Sequence, residues 1–482
     1  MNLAGLQSLL ARAPSLSLAC VGDLMLDRFV YGEVSRISPE APVPVLRTHR
    51  SVSMPGGVGN VARNLASLGT RVTLGSVAGQ DAEGRALADL LAAEPGLTDA
   101  VRYTDTARTV VKTRYVAAGQ QLLRLDEEEA LDTDYRGEGV FEGADAILIS
   151  DYAKGVVSDA LISAALDHAS RAGVPVIVDP KGRDFARYGA VDLIKPNAAE
   201  LAGATGLPTD TDAEVERALS ALLDQTTAKA VIVTRAGKGM SLMRRGGPVQ
   251  HIPARAREVF DVSGAGDTGL AALGLALAAG HDLPDAAAFA ILASGVVVGK
   301  SGTATVTPPE LLEAELTGAM DIDHGRIVPV ETLVDQVDLW KAAGLKVGFT
   351  NGCFDILHRG HVAYLAQARA WCDRLVVALN TDASVRRLKG DGRPVNDLDS
   401  RAAVIGGLAS VDRVTSFDTE TPLDLIKALR PDVLIKGADY TRDTVVGAAE
   451  VESWGGEVRL AEFSPGHSTT ATIQKLAKGE GQ

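Results

Sequence analysis

The chain has 482 residues, of which 46% are hydrophobic and 23% are charged, and its formal net charge is −14. A chain of this length exceeds the size at which one hydrophobic core keeps growing, so we expect at least two domains. The acidic balance argues against binding to nucleic acid, no apolar run approaches the roughly 20 residues that cross a bilayer, and three cysteines do not indicate a disulfide framework. These features predict a cytoplasmic protein that binds neither nucleic acid nor membrane.

Apolar segments alternate with helical patterns along the chain, which predicts an α/β fold with doubly wound parallel sheets. The predicted strands are LSLACVG, RVTLGSV, AILIS, VPVIVD, VDLIKPN, KAVIVT, KVGFTNG, RLVVALN, RVTSF, DVLIKG and EVRLAEF. The first six form one sheet, and KVGFTNG begins another. We therefore predict domains at 1–318 and 345–482, with a linker at 319–344 that contains a helix over ETLVDQVDLWKAAG.

One segment of the first domain departs from this alternation. TARTVVKTRYVAAGQQLLRLD predicts a β-hairpin that turns at Gly119, and PVPVLRTHR predicts a further strand. We interpret this β flap as a cover for a site or as a contact between two copies of the chain.

The segment DVSGAGDTGLAALGLALAAG, residues 261–280, combines a turn of small residues with an apolar helix. Gly264, Ala265 and Gly266 allow a ligand to approach the backbone, and a helix N-terminus attracts an anion. Asp267 is compatible with two interpretations, an N-cap of the helix or a general base that takes a proton from a sugar hydroxyl. The segment alone does not decide between them.

Four segments in the first domain resemble, in order, the motifs of the ribokinase-like sugar kinases: VGDLMLD, PGGVGNVARN, KPNAAE and DVSGAGDT. The resemblance implies that Asp267 is the catalytic base. It also implies ATP-binding and sugar-binding sets of residues, and an indirect role for Glu200 in holding Mg²⁺ with ATP. The ATP-binding set is Asn197, Glu200, Gly264, Ala265 and Gly266, and the sugar-binding set is Asp23, Asp27, Gly56, Gly57 and Asn60.

The segment NGCFDILHRGH, residues 351–361, begins the second domain's functional motif. A strand precedes it and a helix follows it, so His358 and His361 are expected at a helix N-terminus, where they face an anion. Two imidazoles there can donate hydrogen bonds to a phosphate whose charge grows during nucleotidyl transfer. A zinc site with Cys353 and simple loop packing are the alternatives.

This segment resembles the HxGH motif of the cytidylyltransferase-like nucleotidyltransferases, which implies a Rossmann-like domain. ALNTDASVRRLKGDGRP, LIKGADY and SPGHSTTATIQK support the resemblance in order. Pro465, Gly466 and His467 stand where glycerol-phosphate cytidylyltransferases carry an arginine, which weakens CTP as the nucleotide. The residues implied to bind nucleotide or phosphate are Thr350, Phe354, Asp355, Lys389, Arg393, Lys436, Ser468, Thr469 and Thr470.

The order of the two domains resembles the bifunctional heptose 7-phosphate kinase/heptose 1-phosphate adenylyltransferases of lipopolysaccharide core synthesis. The resemblance implies phosphorylation of D-glycero-β-D-manno-heptose 7-phosphate at O1, and then formation of ADP-heptose from ATP and the 1-phosphate. Lys181, in DPKG, would contact the 7-phosphate, or be a salt-bridged surface lysine.

A separate phosphatase must act between the two steps, and we expect a homodimer. Another phosphosugar as substrate, a C-terminal domain that only senses nucleotide, and an oligomerisation scaffold remain as alternatives.

Overall fold

A computed structural model describes residues 1, 3–117, 119–129, 131, 133–254, 261–300, 302–319, 327–342, 344–437 and 441–461. The chain forms two compact units, Met1–Ala314 and Glu315–Gln482.

The first unit contains fifteen strands and nine α-helices among its described residues, the last α-helix extending past its end. The strands are β1 Ser17–Gly22, β2 Leu24–Ile37, β3 Pro44–Gly57, β4 Arg71–Gly75, β5 Val77–Gly79, β6 Leu97–Asp99, β7 Arg102–Thr104, β8 Val110–Ala117, β9 Gln120–Glu127, β10 Ala146–Ser150, β11 Val176–Asp179, β12 Leu193–Ile194, β13 Ala230–Thr234, β14 Met240–Arg244 and β15 Val249–Ile252. The helices are α1 Leu3–Arg12, α2 Val58–Ser67, α3 Ala82–Ala92, α4 Asp159–Ala172, α5 Ala198–Thr205, α6 Asp212–Gln225, α7 Ala265–Ala278, α8 Leu283–Val297 and α9 Pro308–Ala319.

A nine-stranded sheet is the centre of this unit, in the order β15-β14-β13-β12-β11-β10-β1-β4-β6. Its strands are parallel except for the antiparallel pairs that β14 makes with β13 and β15. Alternate residues of β1 enter different cores, Leu18 and Cys20 on one face and Ala19 and Val21 on the other. Because both faces are covered, the strand is a continuous apolar run. The predicted doubly wound sheet is confirmed.

A separate four-stranded sheet, in the order β3-β2-β8-β9, forms the flap. The hairpin predicted around Gly119 is confirmed, since β8 and β9 pair antiparallel on either side of that residue. Six strands were not predicted: β2, β5, β6, β7, β14 and β15. Of these, β2 has 14 residues and begins directly after Asp23. The predicted strand PVPVLRTHR was too short, because β3 continues to the glycine pair Gly56 and Gly57. The flap therefore leads directly from two of the predicted sugar-binding segments.

The second unit is built on one parallel sheet, in the order β18-β17-β16-β19-β20. Leu333, Val337 and Trp340, on the first helix after α9, pack into the core of this unit. The strands are β16 Val347–Gly352, β17 Arg374–Asn380, β18 Arg413–Phe417, β19 Val433–Gly437 and β20 Glu457–Ala461. The helices are α10 Val330–Ala342, α11 Arg359–Arg369, α12 Asp382–Lys389, α13 Leu398–Gly406, α14 Leu423–Leu429 and α15 Ala448–Ser453.

None of the helices in the described part of the chain combines the length and the apolar character that crossing a bilayer would require.

Arg401, on α13, is a buried cation in the second unit, with a side chain that is 0% exposed. Its guanidinium group donates to the carbonyl oxygens of Cys353 at 2.7 Å, Asn380 at 2.9 Å and Asn396 at 3.1 Å, and to Asp382 Oδ1 at 2.8 Å. The fixed fork of donors on an arginine suits several acceptors at once. Arg401 thereby joins the loop after β16 to the end of β17.

Replacing Arg401 by methionine should destabilise the second unit by about 3 kcal/mol, because buried carbonyl groups lose their donor. All three tryptophans of the chain, Trp340, Trp371 and Trp454, lie in this unit, so their fluorescence during urea unfolding reports on it selectively. Arg386→Met, at an exposed position of α12, is the matched control and should leave the transition unchanged. An unchanged midpoint for Arg401→Met would contradict the structural role of the network.

Candidate active sites

Asp267 lies at the centre of the first site. Its helix, α7, begins at Ala265 with Gly264 as the N-cap, so the interpretation of Asp267 as the N-cap is wrong. The carboxylate is 3% exposed and accepts hydrogen bonds at both oxygens, from Asn60 Nδ2 at 2.9 Å and from the Tyr152 hydroxyl at 2.8 Å. The first turn of a helix thus presents a buried carboxylate that is held by two neutral donors.

Burial raises the pKa of Asp267 to about 7. The hydrogen bonds from Asn60 and Tyr152 oppose this rise, Asp179 adds to it, and Lys195 lowers it. A carboxyl group with a pKa near neutrality can both accept and release a proton at physiological pH, which is the property that a general base needs.

The turn before α7 requires glycine because the backbone comes close to other parts of the site. A Cβ on Gly264, whose φ is 78°, would stand 2.6 Å from Asn60 Nδ2. Close to the same turn lies an ion pair between the buried Lys195 and the partly buried Asp179, Nζ to Oδ2 at 2.8 Å. A Cβ on Gly266 would lie 4.0 Å from that Asp179 oxygen. The small residues therefore leave the backbone at the N-terminus of α7 uncovered, next to the Asp179 carboxylate.

The predicted sugar-binding residues Gly56, Gly57, Asn60 and Asp27 come together where β3 leads into α2. A Cβ on Gly56 would collide with Asp27 Oδ2, so the backbone lies directly against this carboxylate. Asp27 accepts a hydrogen bond at 2.6 Å from Arg114 on β8. The flap thus contributes a cation to the site, which the sequence analysis did not anticipate.

Asp23 has a different environment from its predicted partner Asp27. Its Oδ2 accepts the backbone N–H groups of Tyr152 at 2.7 Å and Lys154 at 3.0 Å, and its Oδ1 accepts that of Val156 at 3.1 Å. The carboxylate is buried and anchors the loop after β10. Three of its lone-pair positions are thus used by the backbone, and a contact of Asp23 with the sugar hydroxyls stays a prediction.

The Asn-x-x-Glu segment forms a capping box at the start of α5. Asn197 Oδ1 accepts the N–H of Glu200 at 2.9 Å, and Glu200 Oε2 accepts the N–H of Asn197 at 2.9 Å. The other oxygen of Glu200 accepts Lys181 Nζ at 2.8 Å, and Lys181 is 46% exposed. Of the two interpretations of Lys181, the structure shows the salt-bridged surface lysine.

The second site lies between β16 and α11. His358 is the N-cap residue of α11 and His361 is in its first turn, as the strand, loop and helix pattern predicts. The two imidazole rings stack, with centroids 3.9 Å apart and planes at 19°. Burial, together with the charges of His358 and Lys389, lowers the pKa of His361 to about 4. His361 is therefore neutral at neutral pH and has one ring N–H to donate.

The loop before the two histidines is held by buried contacts. Phe354 has a left-handed backbone with φ 43°, and its ring centroid lies 5.2 Å from that of His361. Asp355 accepts the guanidinium of Arg393 and the N–H groups of Val395 at 2.8 Å and Asn396 at 3.0 Å. Although burial opposes it, hydrogen bonds from Asn396 and Arg393 hold the pKa of Asp355 below its usual value. Asp355 and Arg393, both predicted to bind nucleotide, therefore bind each other here.

The remaining predicted residues are distributed around this loop. Thr350, at the end of β16, is buried and shares a hydrogen bond of 2.6 Å with the Tyr364 hydroxyl. Lys436, on β19, is buried and donates to Asn351 Oδ1. Lys389 ends α12 and is exposed, yet it is close enough to affect the pKa of His361. Ser468, Thr469 and Thr470 lie outside the described residues.

Several side chains of these sites escaped the sequence analysis: Arg114, Tyr152, Asp179, Lys195, Asn351 and Arg401. The sequence signal for Lys195 and Asp179 was present, because each is a charged residue at the end of an apolar strand. No comparable pattern marks Arg114 or Tyr152. Within the described ranges, no group of three or more His, Cys, Asp or Glu side chains could hold a metal ion.

Solved structures share the fold of the first unit. A ribokinase from Arabidopsis thaliana with ribose and ATP is 24% identical, with a TM-score of 0.51, over 62% of this chain and 98% of that chain. Phosphofructokinase-2 from Escherichia coli is 24% identical, with a TM-score of 0.52, over 63% of this chain and 99% of that chain. These similarities confirm the predicted ribokinase-like fold.

Two family models cover most of the chain. Residues 15–310 match the pfkB family of carbohydrate kinases, and residues 349–475 match the cytidylyltransferase-like family. The predicted pairing of a kinase with a nucleotidyltransferase is thereby confirmed.

Relatives with both parts in one polypeptide are similar over nearly the whole length. The bifunctional protein HldE of Hyphomonas neptunium is 52% identical over 98% of this chain and 99% of its own. That of Gluconacetobacter diazotrophicus is 54% identical over 96% of this chain and 98% of its own. The chain belongs to the family of HldE bifunctional proteins, enzymes in which a carbohydrate kinase and a nucleotidyltransferase form one polypeptide.

Proposed function

We propose that the chain catalyses two steps of ADP-heptose synthesis for the lipopolysaccharide core. The kinase transfers the γ-phosphoryl group of ATP to O1 of D-glycero-β-D-manno-heptose 7-phosphate. The nucleotidyltransferase transfers the adenylyl group of ATP to heptose 1-phosphate and releases pyrophosphate. The observation that carries the proposal is the presence, in one chain of the HldE family, of a buried carboxylate at one helix N-terminus and a histidine pair at another.

In the kinase, Asp267 takes the proton from the O1 hydroxyl as this oxygen attacks the γ-phosphorus. The bond from the γ-phosphorus to the β,γ-bridging oxygen breaks, and ADP leaves. Backbone N–H groups at Gly264, Ala265 and Gly266 stabilise the charge on the transferred group. The sugar binds against Gly56, Gly57, Asn60 and Asp27.

Mg²⁺ is the cofactor that we propose for ATP binding. Carboxylate oxygens are ligands that it prefers, and Glu200 lies close enough to Asp179 to affect the pKa of that buried group. Glu200 would hold the ion indirectly, and Asn197 fixes the position of Glu200 through the capping box. Bound with ATP, Mg²⁺ neutralises charge on the phosphates. Lys181 donates to Glu200 at 2.8 Å, and its ammonium group has further donors for the 7-phosphate.

In the nucleotidyltransferase, an oxygen of the sugar 1-phosphate attacks the α-phosphorus of ATP, and the α,β-bridging bond breaks. His358 and His361 donate hydrogen bonds to the α-phosphate as its charge grows. The attacking phosphate is already an anion, so no general base is needed. The nucleotide and phosphate contacts that we propose are Thr350, Phe354, Lys389, Lys436, Ser468, Thr469 and Thr470, with Asp355 and Arg393 holding the loop.

We further propose that residues 1–318 are the kinase domain, 319–344 a linker whose helix α10 packs on the second unit, and 345–482 the nucleotidyltransferase domain. We also propose that the protein is a homodimer. Apolar side chains on the flap support the dimer, since Ile37 is 60%, Leu123 59% and Val43 51% exposed. A cytoplasmic location stays a prediction from the sequence.

Asp267→Asn should lower sugar phosphorylation on the order of 10² to 10⁴-fold, because the base is lost, and leave adenylyl transfer unchanged.

The same substitution should affect stability. The pKa of Asp267 in the fold lies above the usual value, so the folded protein binds more protons than the unfolded chain, and stability falls as pH rises to about 7. The variant lacks this cost and should be at least as stable as the parent chain at pH 8.

The matched control for this substitution is Asp159→Asn, which removes an exposed carboxylate from the first turn of another helix, α4. It should leave both activities unchanged. Kinase activity that persists in Asp267→Asn would refute the base role. Loss of both activities would mean that the substitution had unfolded the protein.

His358→Ala or His361→Ala should lower adenylyl transfer on the order of 10²-fold or more and spare the kinase, because the donors to the α-phosphate are removed. His49→Ala, at an exposed position on β3, is the control. Activities and bound zinc are measured on the same preparations. Variants that retain transfer but lose zinc would contradict the phosphate-binding role.

A separate phosphatase is proposed because the first step yields a 1,7-bisphosphate, whereas the second uses a 1-phosphate. The purified protein with heptose 7-phosphate and excess ATP should accumulate the bisphosphate, and added phosphatase should allow ADP-heptose to form. Mass spectrometry of the products distinguishes the two states. ADP-heptose formed by the pure protein alone would contradict the proposed requirement.

A further inference from the structure

We propose that Tyr152 is a positioning residue of the kinase, whose hydroxyl group holds the Asp267 carboxylate in the orientation and charge state that proton transfer requires. The inference rests on the base role of Asp267 proposed above and adds a residue to the same site.

The direct contact is a hydrogen bond from the Tyr152 hydroxyl to Asp267 Oδ1 at 2.8 Å. Asn60 Nδ2 donates to the other oxygen at 2.9 Å. One donor on each oxygen fixes the plane of the carboxylate. A carboxylate has about four lone-pair positions, so the two donors leave room for the hydroxyl group of a substrate.

The backbone of Tyr152 is itself fixed by a buried carboxylate. Asp23 accepts the N–H groups of Tyr152, Lys154 and Val156, at 2.7, 3.0 and 3.1 Å. Hydrogen bonds to an ionised acceptor are stronger than those between neutral groups. Asp23 therefore determines where the Tyr152 side chain leaves the loop.

A second carboxylate, that of Asp151 within the loop, restrains the same loop. Asp151 accepts the N–H of Ala153 at 2.7 Å and the Tyr188 hydroxyl at 2.8 Å, and it is paired with Arg187. Ala153 has a left-handed backbone with φ 56°, which a residue other than glycine adopts at a cost. Such a conformation persists where its surroundings over-determine it, so the loop presents Tyr152 in one position.

The charges around Asp267 give the hydroxyl group a second effect. Burial and Asp179 raise the pKa of Asp267, whereas Asn60, Tyr152 and Lys195 lower it. Burial also raises the pKa of Tyr152 well above its usual value, with contributions from Asp267, Asp179 and Asp27, so the phenol stays protonated and remains a donor. Loss of this donor raises the pKa of Asp267 further, and less of the base is ionised at neutral pH.

The test is the pH profile of kinase kcat/KM for Tyr152→Phe. In the parent chain the profile should fall below about pH 7, as Asp267 is protonated. In the variant this acidic limb should move up by about one pH unit, because a hydrogen bond to a charged group is lost. Activity at pH 7 then drops severalfold and recovers toward pH 9.

Two matched variants separate this effect from general damage. Tyr188→Phe removes a hydroxyl that supports the same loop through Asp151 but does not contact Asp267, so its acidic limb should stay in place. Tyr103→Phe, outside the site, should leave the kinase unchanged. Recovery of kinase activity toward pH 9 in the same preparations reports that the first unit, which carries Tyr152, is folded. An acidic limb at the parental pH in Tyr152→Phe, whatever its activity, overturns the inference.

If the phenylalanine variant does not fold, Tyr152→Gln and Tyr152→Met decide, because glutamine keeps an N–H donor and methionine does not. The acidic limb should move only in the methionine variant, and equal profiles for the two overturn the inference.

Asp267→Asn separates this inference from the proposed function. An inactive Asp267→Asn beside an unshifted Tyr152→Phe rejects only the role of Tyr152, whereas an active Asp267→Asn rejects the base itself.

Discussion

The kinase site depends on the burial of one carboxylate, Asp267. A charged group removed from water needs donors, and here these are the amide of Asn60 and the hydroxyl of Tyr152. Each donor brings further requirements. Asn60 needs a glycine at position 264, where a Cβ would stand 2.6 Å from its amide nitrogen, and Tyr152 needs the loop that Asp23 anchors. Three segments that are distant in sequence thus meet at Asp267, and the segment of Asp23 holds one of them in place. Burial brings the pKa of Asp267 near neutrality.

In the nucleotidyltransferase unit, the distribution of charge around the histidine pair differs from that around Asp267. Burial keeps His361 neutral at neutral pH, so the imidazole contributes a hydrogen bond and no full charge before nucleotide binds. In the function that we propose, positive charge for the phosphates comes from lysines such as Lys436 and Lys389. Arg393 and Arg401 are used instead to hold the loops around the histidines, through Asp355 and through a set of backbone carbonyls. At this site the arginines therefore hold the fold, and the lysines are the side chains that we propose to bind phosphate.

The sequence was sufficient for local features and insufficient for long-range pairs. Most strands of the two parallel sheets, the hairpin at Gly119 and the histidine pair at a helix N-terminus follow from periodicity and turn residues, which act over a few positions. Arg114 and Tyr152 reach Asp27 and Asp267 across 87 and 115 positions, and no local pattern encodes such contacts. For the same reason the sequence does not show that the carboxylates of Asp23 and Asp355 accept backbone N–H groups of distant loops.

Direct titration of the Asp267 carboxyl group is the measurement closest to the central claim. Carbon-13 NMR of protein labelled at aspartate carboxyl carbons, with Asp267→Asn to assign the signal, follows protonation of this group without reference to catalysis. If burial dominates, the Asp267 signal titrates near pH 7 in the substrate-free protein. A signal that titrates near pH 4, as an aspartate in water does, would contradict the account, because burial would then not set the charge of the base.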